Sequence, residues 1–179
     1  MPGVFDTLRF FASSKQDRSK MQDLFWLTPG QIAGRSGPNK LPWTVAELKQ
    51  QGIDTVLSLN DAVEVDASAL AQHGISHLHV ELPANIPPAP GDQAQCLHRL
   101  PQALAQVSAA LSQGDSVLIH CRSGKDRTGL MMAYLLMVRQ GFSPQAAMAK
   151  VREVRPIAFS AEGWWELAEQ VLHQLRPSH

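Results

Sequence analysis

Val117-Leu118-Ile119-His120-Cys121-Arg122-Ser123-Gly124-Lys125-Asp126-Arg127-Thr128-Gly129 decides how this chain folds. An apolar run gives way to a short polar loop and then to a second, mostly apolar run: strand, loop, helix. A short loop that enters a helix points successive backbone N–H groups inward and makes an anion-binding nest. The helix N-terminus adds partial positive charge at the same place. Gly124 removes side-chain bulk and permits positive φ where the loop must curl. Arg127 offers a planar fork that can hold two oxygens of a tetrahedral oxyanion. Arg122, Ser123, Gly124, Lys125, Asp126, Arg127 and Thr128 are therefore the expected anion-binding set, and Cys121 lies at its floor. Helix N-termini and nearby cations favour the thiolate, so Cys121 is the candidate nucleophile. Thr128 is placed to donate its hydroxyl to the sulfur, and His120 to orient the loop by hydrogen bonding.

Outward from this loop, strand-like and helix-like runs alternate. Gln31 to Gly34, Ile53 to Leu59, Ile75 to Leu82 and Ser116 to Ile119 read as strands. Thr44-Val45-Ala46-Glu47 has the spacing of a capping box and opens a helix that stops at Gly52. Further helices are expected over Asp66 to His73, Gln93 to Ser112, Thr128 to Gln140, Ser143 to Arg155 and Ser160 to Leu175. Pro83, Pro87, Pro88 and Pro90 make the stretch before the long helix a stiff loop without ladder capacity. The pattern predicts a single α/β domain, a small, mostly parallel central sheet of four or five strands flanked by helices. In such sheets ligands bind beyond the carboxyl ends of the strands, which is where Cys121 falls. Residues 1–21 read as a loosely held leader, with Phe5, Leu8 and Phe11 able to share an apolar face, and 22–179 as the folded domain.

His120-Cys121-x-x-Gly124-x-x-Arg127-Thr128-Gly129 resembles the signature of cysteine-dependent phosphatases of the dual-specificity and protein-tyrosine-phosphatase class. More weakly, Gly52 to Leu59 is similar to the strand before that family's variable loop, and Arg155-Pro156 stands where its members often carry Arg-Pro. The resemblance covers roughly residues 27 to 175 and implies hydrolysis of phosphomonoesters through a phosphocysteine, without metal or cofactor. Arg122 and Lys125 resemble the two loop lysines of tensin-type phosphoinositide phosphatases, and Lys125-Asp126-Arg127-Thr128 looks like bacterial lipid and tyrosine phosphatases. The implied substrates are phosphotyrosine or phosphoserine/threonine proteins, or inositol phospholipids.

The chain departs from the pattern at the general acid. The family places an aspartate on a proline-containing loop roughly thirty residues before the cysteine, to protonate the leaving oxygen and then deprotonate water. Here that loop reads Pro83-Ala84-Asn85-Ile86-Pro87-Pro88, with Ala84 at the acid position. Two carboxylates are candidates. Asp92 lies within the usual distance but also looks like a helix N-cap after Gly91. Asp126 matches a position where myotubularin-type lipid phosphatases carry an aspartate, and it could equally buttress a neighbouring loop.

Composition bounds the remaining classes. The 179 residues carry 16 Lys+Arg and 16 Asp+Glu, so no net charge draws them to nucleic acid. Two cysteines make neither a disulfide framework nor a zinc site, so no metal is expected. Cys96 falls on an apolar helical stripe and reads as core, with a reversible link to Cys121 as the alternative. No apolar run nears the ~20 residues that span a bilayer. Asp6 and Arg9 interrupt the apolar part of the N-terminus, so a cytoplasmic location is expected. Against hydrolysis stand a catalytically weak module that captures phosphorylated partners, which Ala84 favours, and a sulfur-transfer enzyme of the rhodanese type, which Arg127-Thr128 disfavours.

Overall fold

Strand β5 (Val117–Cys121) is buried along its whole length, because the sheet it centres is covered on both faces. The computed structural model describes residues 21–178, so the expected leader face of Phe5, Leu8 and Phe11 lies outside the described residues. The elements run β1 (Phe25–Thr28), β2 (Ile32–Ser36), α1 (Val45–Gln50), β3 (Thr55–Ser58), α2 (Ala67–Gln72), β4 (Ser76–His79), α3 (Asp92–Ser112), β5, α4 (Asp126–Gln140), α5 (Pro144–Val154) and α6 (Trp164–Leu175). The sheet order is β1-β2-β5-β3-β4. Only β1 is antiparallel to its neighbour, and β2, β5, β3 and β4 run parallel. The expected α/β domain with a small, mostly parallel sheet is therefore the fold observed.

Alternation along β5 divides the molecule into two cores. Val117, Ile119 and Cys121 join a large cluster with α3, α4, α5 and α6, in which Leu100, Met131, Met148 and Leu172 are all buried. Leu118 faces a smaller cluster of Ala33, Val56, Leu48 and Leu70 beneath α1 and α2. Helix α4 is buried from Asp126 to Met137, as its apolar run predicts for a central helix. At α1 the capping box forms as expected, with Thr44 accepting from the Glu47 amide and Glu47 accepting from the Thr44 amide.

Several boundaries differ from the sequence reading. Strand β1 was not expected. It is four residues long, and its register is irregular between Trp26 and Thr28. It joins β2 through a turn in which the Gln31 amide donates to Thr28 O, with Gly30 at φ +74°. Met21, which the sequence reading placed in the leader, is buried in the smaller core. Helix α4 starts at Asp126, two residues before Thr128, which draws the loop's last residues into the helix. Helix α6 starts at Trp164 rather than Ser160. Gly91, not Asp92, is the N-cap of α3, and Asp92 is its first helical residue.

Candidate active site

Cys121 ends β5 with 1% of its surface exposed, at the carboxyl edge of the sheet. Between it and α4 the chain curls through Gly124 at φ +61°. A Cβ at Gly124 would lie 2.4 Å from the backbone carbon and oxygen of Arg35, so no larger residue fits.

The outer side of the curl explains its inner side. His120 Nδ1 lies 3.2 Å from Cys121 O, and the Gly37 amide donates to Arg122 O at 3.1 Å. Arg155 donates to Ser123 O at 2.7 Å and to Gly124 O at 3.2 Å. Four successive carbonyls are thus engaged from outside, which turns the intervening amides toward the concavity. The Cys121 sulfur accepts from Thr128 Oγ1 at 3.1 Å, as the sequence spacing suggests.

Arg127, in the first turn of α4, is 8% exposed. Its Nε and Nη1 are buried and have no hydrogen-bond partner among the described residues. Buried polar groups are nearly always paired, so two unspent guanidinium donors beside the sulfur-bearing loop mark a place for an oxyanion. Arg122 is exposed, and Ser123 Oγ accepts from Lys40 Nζ at 3.1 Å. Lys125 reaches Asp126 Oδ2 at 3.1 Å and Ser160 Oγ at 2.9 Å.

The two candidate acids differ in their commitments. Asp92 is 3% exposed. It accepts from Asn85 Nδ2 at 3.2 and 3.0 Å and from the Ala89 amide at 2.7 Å, folding the proline loop onto the start of α3. Asp126 is 6% exposed and accepts from the Ala161 amide at 3.3 Å beside its contact with Lys125. Trp164 Nε1 donates to Asn85 O at 2.9 Å, so the proline loop is held from α6 as well.

The brace behind the loop was only partly visible in the sequence. Arg155, noted in the sequence only for its Arg-Pro pair, has a specific structural role: beyond its two loop carbonyls it pairs with Asp23 at 2.7 and 3.2 Å. Asp23 Oδ2 also accepts from the Ser36 amide at 2.9 Å. Burial alone would push the Asp23 carboxyl up, but the hydrogen bonds from Arg155 and Ser36 outweigh it and hold it down at about 2. No local signal announces Asp23, which lies 132 residues from its partner.

His120 is fully buried between β3 and β2, with Ser58 Oγ 2.5 Å from its Nε2 and the Trp43 ring edge-on at 5.2 Å. Burial pushes its imidazole down to about 4, so the ring is neutral near pH 7. Cys96 is a free, buried cysteine whose thiol burial pushes up to about 12, in keeping with inert core. Asn60 and Asp61 follow β3, each with a buried side-chain oxygen lacking a partner among the described residues. Among those residues no cluster of His, Cys, Asp and Glu is fit to hold a metal, and no helix is long and apolar enough to cross a membrane.

A family model described as "Swiss Army Knife protein, DSP-PTPase phosphatase domain" matches residues 21–177. The chain belongs to this family. This DSP-PTPase domain is 28% identical over 139 residues to the phosphatidylglycerophosphate phosphatase PTPMT1 of Arabidopsis thaliana, covering 76% of the chain and 40% of that relative. It is 25% identical over 164 residues to the dual specificity protein phosphatase CDC14AB of Danio rerio, covering 85% of the chain and 25% of the relative. The chain thus spans less than half the length of either. Its fold is shared with Tk-PTP in the active form, at TM-score 0.67 and 23% identity over 86% of this chain and 98% of that one. It is shared too with PTPMT1, at TM-score 0.64 and 15% identity over 85% and 95%.

Proposed function

We propose that this domain hydrolyses phosphomonoesters through a covalent phosphocysteine. The observation that carries the reading is the pair of buried Arg127 donors, without a partner among the described residues, beside a loop whose first four carbonyls are held outward. Loop amides and Arg127 bind the three non-bridging phosphate oxygens and stabilise the charge they gather in the transition state. The Cys121 thiolate attacks phosphorus as the bond to the leaving oxygen breaks, and Asp126 gives that oxygen its proton. Water, deprotonated by the same carboxylate, then attacks phosphorus. The P–S bond breaks, and the departing sulfur accepts a hydrogen bond from Thr128. Asp126 is preferred to Asp92 as the acid because it belongs to the anion-binding loop itself, beside Arg127, whereas Asp92 spends both oxygens on two donors, Asn85 Nδ2 and the Ala89 amide, within the proline loop.

The substrates are phosphorylated proteins or phosphoinositide-type lipids, met in the cytoplasm, where a free thiol persists. The likeness to a phosphatidylglycerophosphate phosphatase supports the lipid arm, as does Arg122, an exposed cation one residue from the nucleophile. Ala84 favours the second reading, a module that captures phosphorylated partners with little turnover. Wild-type protein is expected to release phosphate from p-nitrophenyl phosphate, and Cys121→Ser to abolish release while keeping the thermal melt. Full activity in that variant refutes the nucleophile, whereas phosphate binding without turnover in the wild type selects the module.

A further inference from the structure

Ser58 and His77 stand outside the anion-binding loop, yet side-chain hydrogen bonds join them to it. His120 Nδ1 lies 3.2 Å from Cys121 O, which can only accept, so Nδ1 carries the hydrogen. Because burial keeps the ring neutral, Nε2 is left as a bare acceptor. The hydroxyl of Ser58, 2.5 Å from Nε2, must then spend its single hydrogen there. Its oxygen can only accept from its other partner, His77 Nε2, 2.8 Å away, so that nitrogen bears a hydrogen too. Every polarity in the series is fixed by the one carbonyl at its end.

We propose that Ser58 and His77 are positioning residues for catalysis: a one-way series of donors, from His77 Nε2–H to Ser58 Oγ–H to His120 Nε2, locks the His120 tautomer that holds the Cys121 carbonyl outward. The reversed tautomer would set the Nδ1 lone pair against Cys121 O and push the peptide out of the nest. Strand pairing builds the series. Ser58 lies opposite His120 in the β3–β5 register, and His77 comes from β4, the next strand out. Ser58 and His120 are wholly buried, while His77 is half-buried at the sheet's far edge. That edge is therefore coupled to the nucleophile through three side chains. The catalytic part of the inference rests on the phosphatase reading, but the hydrogen-bond polarity does not.

Nitrogen-15 NMR of the histidine side chains in the full chain tests the polarity directly. At pH 7 the wild type should show His120 protonated at Nδ1 and His77 at Nε2. His77→Gln keeps an N–H donor at the site and should retain both the His120 signature and turnover of p-nitrophenyl phosphate. His77→Glu offers only an acceptor, so Ser58 turns toward it and His120 Nε2 takes a hydrogen. Here kcat should fall about tenfold or more with KM little changed. Ser58→Ala should lower kcat similarly, and Ser58→Thr restore it. A wild-type His120 protonated at Nε2 overturns the inference, as does His77→Glu with unchanged nitrogen shifts and kcat. Should either variant fail to fold, the wild-type spectrum alone decides the polarity. An inactive wild type with the expected tautomers would sink the phosphatase reading and leave the donor series standing.

Discussion

At Gly124 a methyl group would meet the Arg35 backbone at 2.4 Å, and at Gly37 it would meet Cys121 O at 2.5 Å and His120 Nδ1 at 2.8 Å. Two glycines therefore let the β2 edge and the cysteine loop touch, and His120 fills the angle between them. The buried ring has a thermodynamic signature. Its folded pKa of about 4 lies below the free value of 6.5, so the unfolded chain binds a proton that the folded chain refuses. Stability attributable to His120 is complete above pH 6.5, erodes as the pH falls through that window, and levels off below about 4. The loss is on the order of 3 kcal/mol. Urea denaturation from pH 7 to pH 4 should show this slope, and His120→Asn should flatten it.

Among the elements, the strand–loop–helix unit was the most legible. Its signals are all local: an apolar run, a glycine that must curl, and cations at a helix start. The capping box at Thr44 was readable for the same reason. Strand β1 was not, because four residues with an irregular register carry too little alternation to stand out. The misplaced cap at Asp92 has a physical cause as well. Its carboxylate serves Asn85 and the Ala89 amide behind it instead of the helix amides ahead, and Gly91 takes the cap position. This contrast separates the two acids in solution. Asp126→Asn should lower kcat about a hundredfold for a poor leaving group such as a simple alkyl phosphate, and far less for p-nitrophenyl phosphate, whose leaving oxygen needs little help from an acid. Asp92→Asn should keep the ratio of kcat between the two leaving groups and lower the melting temperature, since a buried charge-assisted network worth about 2 kcal/mol is disturbed. The opposite pattern would make Asp92 the acid.

Across the whole molecule, the segment before β1 and the end of α5 meet behind the loop through Asp23 and Arg155. This brace was illegible because its halves are far apart in sequence and neither residue has a telling neighbour. Replacing Arg155 with Met strips the Ser123 and Gly124 carbonyls of their donors and leaves Asp23 without its cation. Arg155→Met should cost about 2 kcal/mol of stability at pH 7 and weaken phosphate binding as the loop loosens. The Asp23 carboxyl sits at about 2 when folded against an ordinary 3.8. The stability it confers is present above 3.8 and disappears as the pH drops toward 2. The gap between wild type and variant should accordingly narrow on acidification, which melts at pH 7 and pH 3 would reveal.

The supports behind the cysteine arrive from Gly37 after β2, from His120 in β5 and from Arg155 after α5. A nascent or partly melted chain has the thiol but none of these struts in place, so it offers a bare sulfur and no cup. Reactivity toward phosphate esters is in this way withheld until folding is finished, and its disappearance on heating should precede or accompany, never trail, the collapse of the remaining architecture.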